Sequence, residues 1–104
     1  MESNEETMIR SENGFNELVE LIAETDDPKF LSDFFKCLFT PAEVHDIADR
    51  WLLVKEIEKG TTQREIARKF GISLCKITRG SRELKKEDSA FRAMLDKWKE
   101  KNKS

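Results

Sequence analysis

The sequence predicts an all-α fold of six helices and no strands, built around a helix-turn-helix reading head at about residues 62–84. Three observations lead to it. Apolar residues recur at helical spacing through each long segment. Helix-start signals (Asp27-Pro28, Thr40-Pro41, and Thr62 followed by Glu65) and helix-stop glycines (Gly60, Gly71) divide the chain at the matching places. From Thr61 to Lys86 eight basic residues (Arg64, Arg68, Lys69, Lys76, Arg79, Arg82, Lys85, Lys86) accompany only two acidic ones (Glu65, Glu83), in a chain of net charge −2.

Taken in order, residues 1–12 are polar and acidic without periodicity and read as a flexible acidic arm. Residues 13–104 read as a single all-helical domain for DNA binding and dimerisation. Its first helix, Asn13 to Glu24, sets Phe15, Leu18, Val19 and Ile22 on one face. Asp26-Asp27-Pro28 breaks it and starts the second helix, with Asp27 as cap and Pro28 at the first position. Phe30, Leu31, Phe34, Phe35 and Leu38 form a stripe that is wide for so short a helix. Burial on two sides would account for it, as in two chains whose helices interlock. At 104 residues, 38% hydrophobic and 38% charged, the chain has a lean core of its own, and burial shared with a second copy would help.

The third helix runs from Pro41 to Lys59, with Val44, Ile47, Ala48, Trp51, Val54 and Ile57 expected inward. Gly60 ends it. In the reading head, Thr62 and Glu65 suit a capping box, and Ile66, Ala67 and Phe70 share one face. Gly71 suits a left-handed C-cap, Ile72 is the buried residue of the turn, and Ser73 caps the next helix, which carries Ile77 and Leu84 inward. Small Ala67, then Gly71, then Ile77 is the helix-turn-helix spacing, and such units lay their second helix in the major groove. After the polar break Lys85–Ser89, Asp88 or Ser89 can cap a last helix bearing Phe91, Met94, Leu95 and Trp98.

The charge pattern separates function classes. Base gathered on the head is the expected footprint for phosphate, whereas an ordinary solvated hairpin mixes signs. Residues 1–60 hold six basic and fifteen acidic residues. A small module that binds another protein through this acidic half is therefore the alternative from a different class. With one histidine and no nucleophile–base pairing, the sequence offers no catalytic apparatus. Cys37 and Cys75 are far apart with no CxxC pair, which argues against zinc and for reduced thiols in the cytoplasm. No apolar stretch suits a signal peptide or a membrane span. Gly80, inside the second helix of the head, costs about 1 kcal/mol relative to alanine. Either the close approach of a neighbouring helix or room for a small ligand against the backbone would offset it. Arg79 beside it suits a carboxylate or a phosphate.

The string Ile77-Thr-Arg-Gly-Ser81 followed by Leu84-Lys85, supported by Gln63–Ser73 and by Leu38-Phe-Thr-Pro-Ala-Glu43, resembles the Trp repressor family over about Phe34 to Lys85. That resemblance implies an intertwined all-helical homodimer that binds double-stranded operator DNA and represses transcription when L-tryptophan occupies its pockets. Such a protein needs no other cofactor. Arg50 and Arg79 match the arginines that sandwich the indole, and Thr40 matches a carboxylate ligand. The carbonyls of Cys37 and Phe39 match groups offered to the ammonium by the other chain. Val54 and Gly80 match pocket walls, and Glu83 stands beside the ligand's amino group, where serine is usual. The DNA-facing set is Gln63, Arg64, Ser73, Leu74, Cys75, Lys76, Thr78, Ser81 and Lys85. Lys76 replaces a usual threonine there, Phe39 and Trp51 are bulkier than the usual aliphatics, and the Gly60–Gln63 linker is shorter than usual. A family-like regulator with a different effector, or none, is the alternative these departures motivate.

Overall fold

The computed structural model describes residues 3–103 and contains, in chain order, α1 (Asn4–Ala23), α2 (Pro28–Leu38), α3 (Pro41–Lys59), α4 (Gln63–Phe70), α5 (Leu74–Lys85) and α6 (Ala90–Lys101). There is no strand among the described residues. None of the described helices is long and apolar enough to cross a membrane. Contacts group the chain into two compact units, Met1–Thr40 and Pro41–Ser104.

The helix boundaries follow local chemistry. Asp27 accepts from the backbone N–H groups of Lys29 and Phe30 at 3.1 and 3.3 Å, with Pro28 at the first helical position. Thr62 accepts from Glu65 N at 3.2 Å, Ser73 from Lys76 N at 3.3 Å and Ser89 from Arg92 N at 3.3 Å, so Ser89 rather than Asp88 caps α6. These bonds satisfy N–H groups that a helix start leaves without an internal partner. The reciprocal half of the Thr62 capping box is absent, because the Glu65 carboxylate instead accepts from Arg68 at 2.7 Å. Gly60 and Gly71 take left-handed φ values of 89° and 64° at the ends of α3 and α4, where a Cβ would be strained.

The arm expected over residues 1–12 is corrected: from Asn4 onward this stretch is the start of α1, while residues 1 and 2 lie outside the described residues. Ser3 accepts from Glu6 N at 3.1 Å, and Glu5 and Glu6 occupy the first turn, where carboxylates complement the helix dipole. The extension buries nothing, and Met8 is 70% exposed. A helix without a buried face leaves no periodicity to read.

In the unit Met1–Thr40, neither α1 nor α2 contains a buried residue. Leu18, Leu21 and Ile22 of α1 and Phe30, Leu31 and Phe34 of α2 line one open groove. The rings of Phe34, Phe35 and Phe39 follow one another at centroid separations of 5.9 Å.

In the unit Pro41–Ser104, α3 supports the other three helices. Leu53 packs with Ile66 of α4 and Ile77 of α5, flanked by Ile57, Ala67, Phe70 and Ile72. The next residue, Val54, packs with Leu84 of α5 and Leu95 of α6, flanked by Trp51, Ile57 and Phe91. The inner side of α3 thus includes Leu53, which the single-face reading omitted, and Ile47, expected inward, is 46% exposed. α6 is tied back to α3 by charge as well: the Glu58 carboxylate accepts from Arg92 Nη1 and from Lys99 Nζ, the latter at 3.0 Å. Lys55 Nζ lies 4.3 Å from the centre of the Trp98 ring, a cation–π contact.

Two outcomes follow. Ile77→Ala removes a fully buried anchor and should cost about 2–5 kcal/mol, whereas Ile47→Ala, on an exposed position, should stay within about 0.5 kcal/mol; urea unfolding of the two variants compares them. The hydrogen bond from Arg92, then that from Lys99, holds the Glu58 carboxyl below its ordinary range. A depressed carboxylate stabilises the fold at pH values above its ordinary range, and that contribution is lost as acid protonates it. Acid titration of the wild type should therefore show α6 loosening below that range, read by Trp98 fluorescence, and Glu58→Gln should remove this pH dependence.

Candidate nucleic-acid interface and ligand pocket

α4 and α5 are joined across Gly71 and locked through Ile66 and Ile77, both fully buried. Outside that lock, Gln63, Arg64, Ser73, Leu74, Cys75, Lys76, Thr78 and Lys85 are exposed, and Ser81 is half-buried. Leu74, an apolar residue at the first position of α5, is 57% exposed. Not every base on the head is available to an outside anion. Arg68 is held by Glu65 at 2.7 Å, Lys69 by Glu56 at 2.8 Å and Lys86 by Glu83 at 2.8 Å. Arg64, Lys76 and Lys85 have no ion-pair partner among the described residues. Their unneutralised charge, beside exposed side chains that can donate, accept or offer a methyl group, is what reading a polyanion requires.

A cavity of about 420 Å³ lies between α5, α3 and the start of α6, within the size range of small-molecule sites. Its walls come from α3 (Asp46, Asp49, Arg50, Leu53, Val54), from Ile72, from α5 (Lys76, Arg79, Gly80, Glu83), from the α5–α6 connection (Lys86–Ser89) and from the start of α6 (Ala90, Phe91). The cavity therefore brings together Arg50, Val54, Arg79, Gly80 and Glu83 of the expected ligand set. Thr40, Cys37 and Phe39 belong to the other unit. There Cys37 and Thr40 are exposed and Phe39 is half-buried. Leu53, Val54, Ile72 and Phe91 give the cavity apolar walls beside a charged rim.

Gly80 has a definite packing reason. A Cβ built on it would lie 3.3 Å from Leu53 Cδ2 and 3.5 Å from Ile57 Cδ1, so the missing side chain lets α5 approach α3. Of the two reasons left open by the sequence, the close approach of a neighbouring helix accounts for this glycine, and the same residue also borders the cavity. The Glu83 carboxyl is held below its ordinary range, chiefly by the hydrogen bond from Lys86; desolvation opposes this, and the charges of Lys86, Arg79 and Arg82 add to the lowering. It is an anion on the cavity wall at neutral pH. Asp49, on the cavity wall, lies with its Oδ2 3.1 Å from His45 Nε2.

Asp46, Asp49, Asp88, Ser89 and Phe91 are lining residues that sequence reasoning missed. The polar break at Lys85–Ser89 was a visible signal, but its return to the cavity depends on α6 docking against α3, which no local pattern encodes. Among the described residues no group of three or more His, Cys, Asp or Glu side chains could hold a metal ion.

Comparison with known proteins gives a consistent answer. The family model described as "Trp repressor protein" matches residues 13–99. A Trp operon repressor homolog of Chlamydia caviae is 40% identical over 86 residues, covering 82% of this chain and 85% of that protein. A second Trp operon repressor homolog, from Chlamydia trachomatis serovar L2, is 37% identical over 89 residues, covering 85% and 95%. A third, from Xylella fastidiosa, is 33% identical over 87 residues, covering 83% and 92%. No solved structure matches the chain. With a match that spans both the reading head and the cavity-lining segments, the chain belongs to the Trp repressor family, whose members are transcription regulators and not enzymes.

Proposed function

We propose that this chain is an operator-binding transcription repressor, active as a homodimer in the cytoplasm, whose affinity for DNA is raised by L-tryptophan. One observation carries the reading: α5 supplies residues to both faces of the problem. Arg79, Gly80 and Glu83 border the cavity, while Leu74, Cys75, Thr78 and Lys85 on the same helix are exposed. A ligand filling the cavity touches α3 through Arg50 and Val54 and α5 through Arg79 and Gly80. It thereby favours whichever orientation of α5 best completes both contacts.

The mechanism is a shift between head orientations. A ligand with greater affinity for the DNA-competent orientation increases its population. By linkage, operator DNA must tighten the ligand by the same factor. The chemistry of the rim suits an amino acid: the guanidinium groups of Arg50 and Arg79 can take an aromatic face and a carboxylate, and the ionised Glu83 can take an ammonium. Thr40, with the carbonyls of Cys37 and Phe39 from a second chain, would complete the site in the dimer. The homodimer itself is supported by the unit Met1–Thr40, where Phe15 is 65% and Phe30 58% exposed and no helix residue is buried. Gln63, Arg64, Ser73, Lys76 and Ser81 would join the exposed α5 residues at the DNA. A different effector, or none, is the second reading, favoured by the pairing of Glu83 with Lys86 at 2.8 Å, which an incoming ammonium would have to displace.

Two experiments test this proposal. L-Tryptophan should tighten binding of the purified protein to a tryptophan-operon promoter fragment at fixed salt; Arg79→Ala should abolish that response, and a retained response would remove Arg79 from the site. Arg64→Ala should weaken operator binding by about 1–3 kcal/mol, measured by gel shift across a salt series. The affinity of the wild type should itself fall steeply as salt rises.

A further inference from the structure

Glu56 is an acidic side chain in a place where helix packing normally puts an apolar one. It lies near the end of α3 and is 8% exposed. Both carboxylate oxygens are occupied. Oε2 accepts from Thr61 Oγ1 at 2.7 Å, and Oε1 accepts from Lys69 Nζ at 2.8 Å. Lys59 Nζ lies 3.7 Å from Oε1. The backbone N–H of Thr61 also donates to the Glu56 carbonyl at 3.2 Å. One residue of α3 is thus fastened to the linker twice and to the last turn of α4 once. Neither the cavity nor the exposed face of α5 uses Glu56.

We propose that Glu56 is a positioning residue for the reading head, and that the Glu56–Thr61–Lys69 clamp fixes the orientation of α4, and through it α5, against the end of α3. The proposal rests on the reading of the head as a DNA-binding unit. α4 is eight residues long and has a single buried residue, Ile66. Ile66, with Ala67 and Phe70 partly buried beside it, resists withdrawal of the helix, but apolar burial is not directional and opposes a small rotation less than a directional bond does. Hydrogen bonds are directional, and a buried carboxylate without partners would be costly, so the clamp penalises any swivel that separates Lys69 or Thr61 from Glu56. The hydrogen bonds from Lys69 and then Thr61 bring the Glu56 carboxyl from 4.5 to about 2, so the clamp stays ionised at neutral pH.

The clamp also withdraws Lys69 from solvent anions, which separates orientation from charge in the test. The full-length wild type, Glu56→Gln, Lys69→Met and Lys69→Arg are compared on two duplexes: the sequence that the wild type selects from a random pool, and an unrelated duplex of equal length. Amide hydrogen exchange is followed in parallel. Glu56→Gln should lower affinity for the selected sequence about tenfold, within the range for coupled networks. Affinity for the unrelated duplex should hold or rise, since an acid is lost and Lys69 is released. Exchange of α4 amides should speed up about tenfold with α6 amides unchanged. Lys69→Met, at an exposed position, should reproduce the loss of discrimination and the faster α4 exchange even if Glu56→Gln fails to fold, and Lys69→Arg should restore both. Unchanged discrimination and unchanged α4 exchange in Lys69→Met, with a wild type that discriminates, would overturn the clamp. A wild type that selects no sequence would overturn the DNA reading and this proposal with it.

Discussion

The contact between the Leu53 side chain and the backbone of Gly80 is the constraint on which the rest of the Pro41–Ser104 unit depends. With a Cβ at position 80, Leu53 Cδ2 would be 3.3 Å away, so any larger residue there would make the Leu53 side chain give by a few tenths of an ångström. At the observed separation of the two helices Ile77 reaches Leu53 and Ile66, while Leu84 reaches Val54 and Leu95. One helix is therefore held at two successive layers of core. The same approach leaves Arg79 and Glu83 bordering the cavity beside the contact rather than filling it. The helix-propensity cost of glycine, about 1 kcal/mol, is offset by two layers of close packing.

α3 serves two sides at once. Leu53 and Val54 are consecutive residues that enter different clusters. Glu56 and Glu58, two residues apart and so not facing the same way on a helix, hold α4 and α6 respectively. A helix with partners on two sides has its apolar residues spread around the axis, and its charged residues include structural ones.

These facts also explain what was legible in the sequence. Helix starts at Asp27-Pro28, Thr62 and Ser73 and the stop at Gly71 depend on residues within one turn, and they were readable because capping is local. Ile66, Ile77 and Leu84 were readable because α4 and α5 each present one face inward. The inner side of α3 was legible in part: Trp51, Val54 and Ile57 pack in the core, while Leu53 belongs to a second stripe that a one-face template discards. The start of α1 was missed because Ser3 caps a segment with no buried face. In the cavity, Gly80 drew notice through its propensity cost, and Arg50 and Val54 through family resemblance. Asp46, Asp49 and Phe91 arrive there only because α6 folds back, a consequence of Glu58, Arg92, Lys99 and Leu95 that no single segment reveals.

Asp88 has its own consequence. Its φ of 56° makes it the non-glycine residue with left-handed backbone among those described, a conformation that aspartate tolerates but glycine adopts with less strain. It also borders the cavity. Backbone and rim therefore make opposite demands on one codon: glycine would relieve the turn, and only an acid supplies the charge. In sequences drifting under selection for stability alone, this site should move toward glycine or asparagine, whereas a persistent aspartate would record selection for charge at this position.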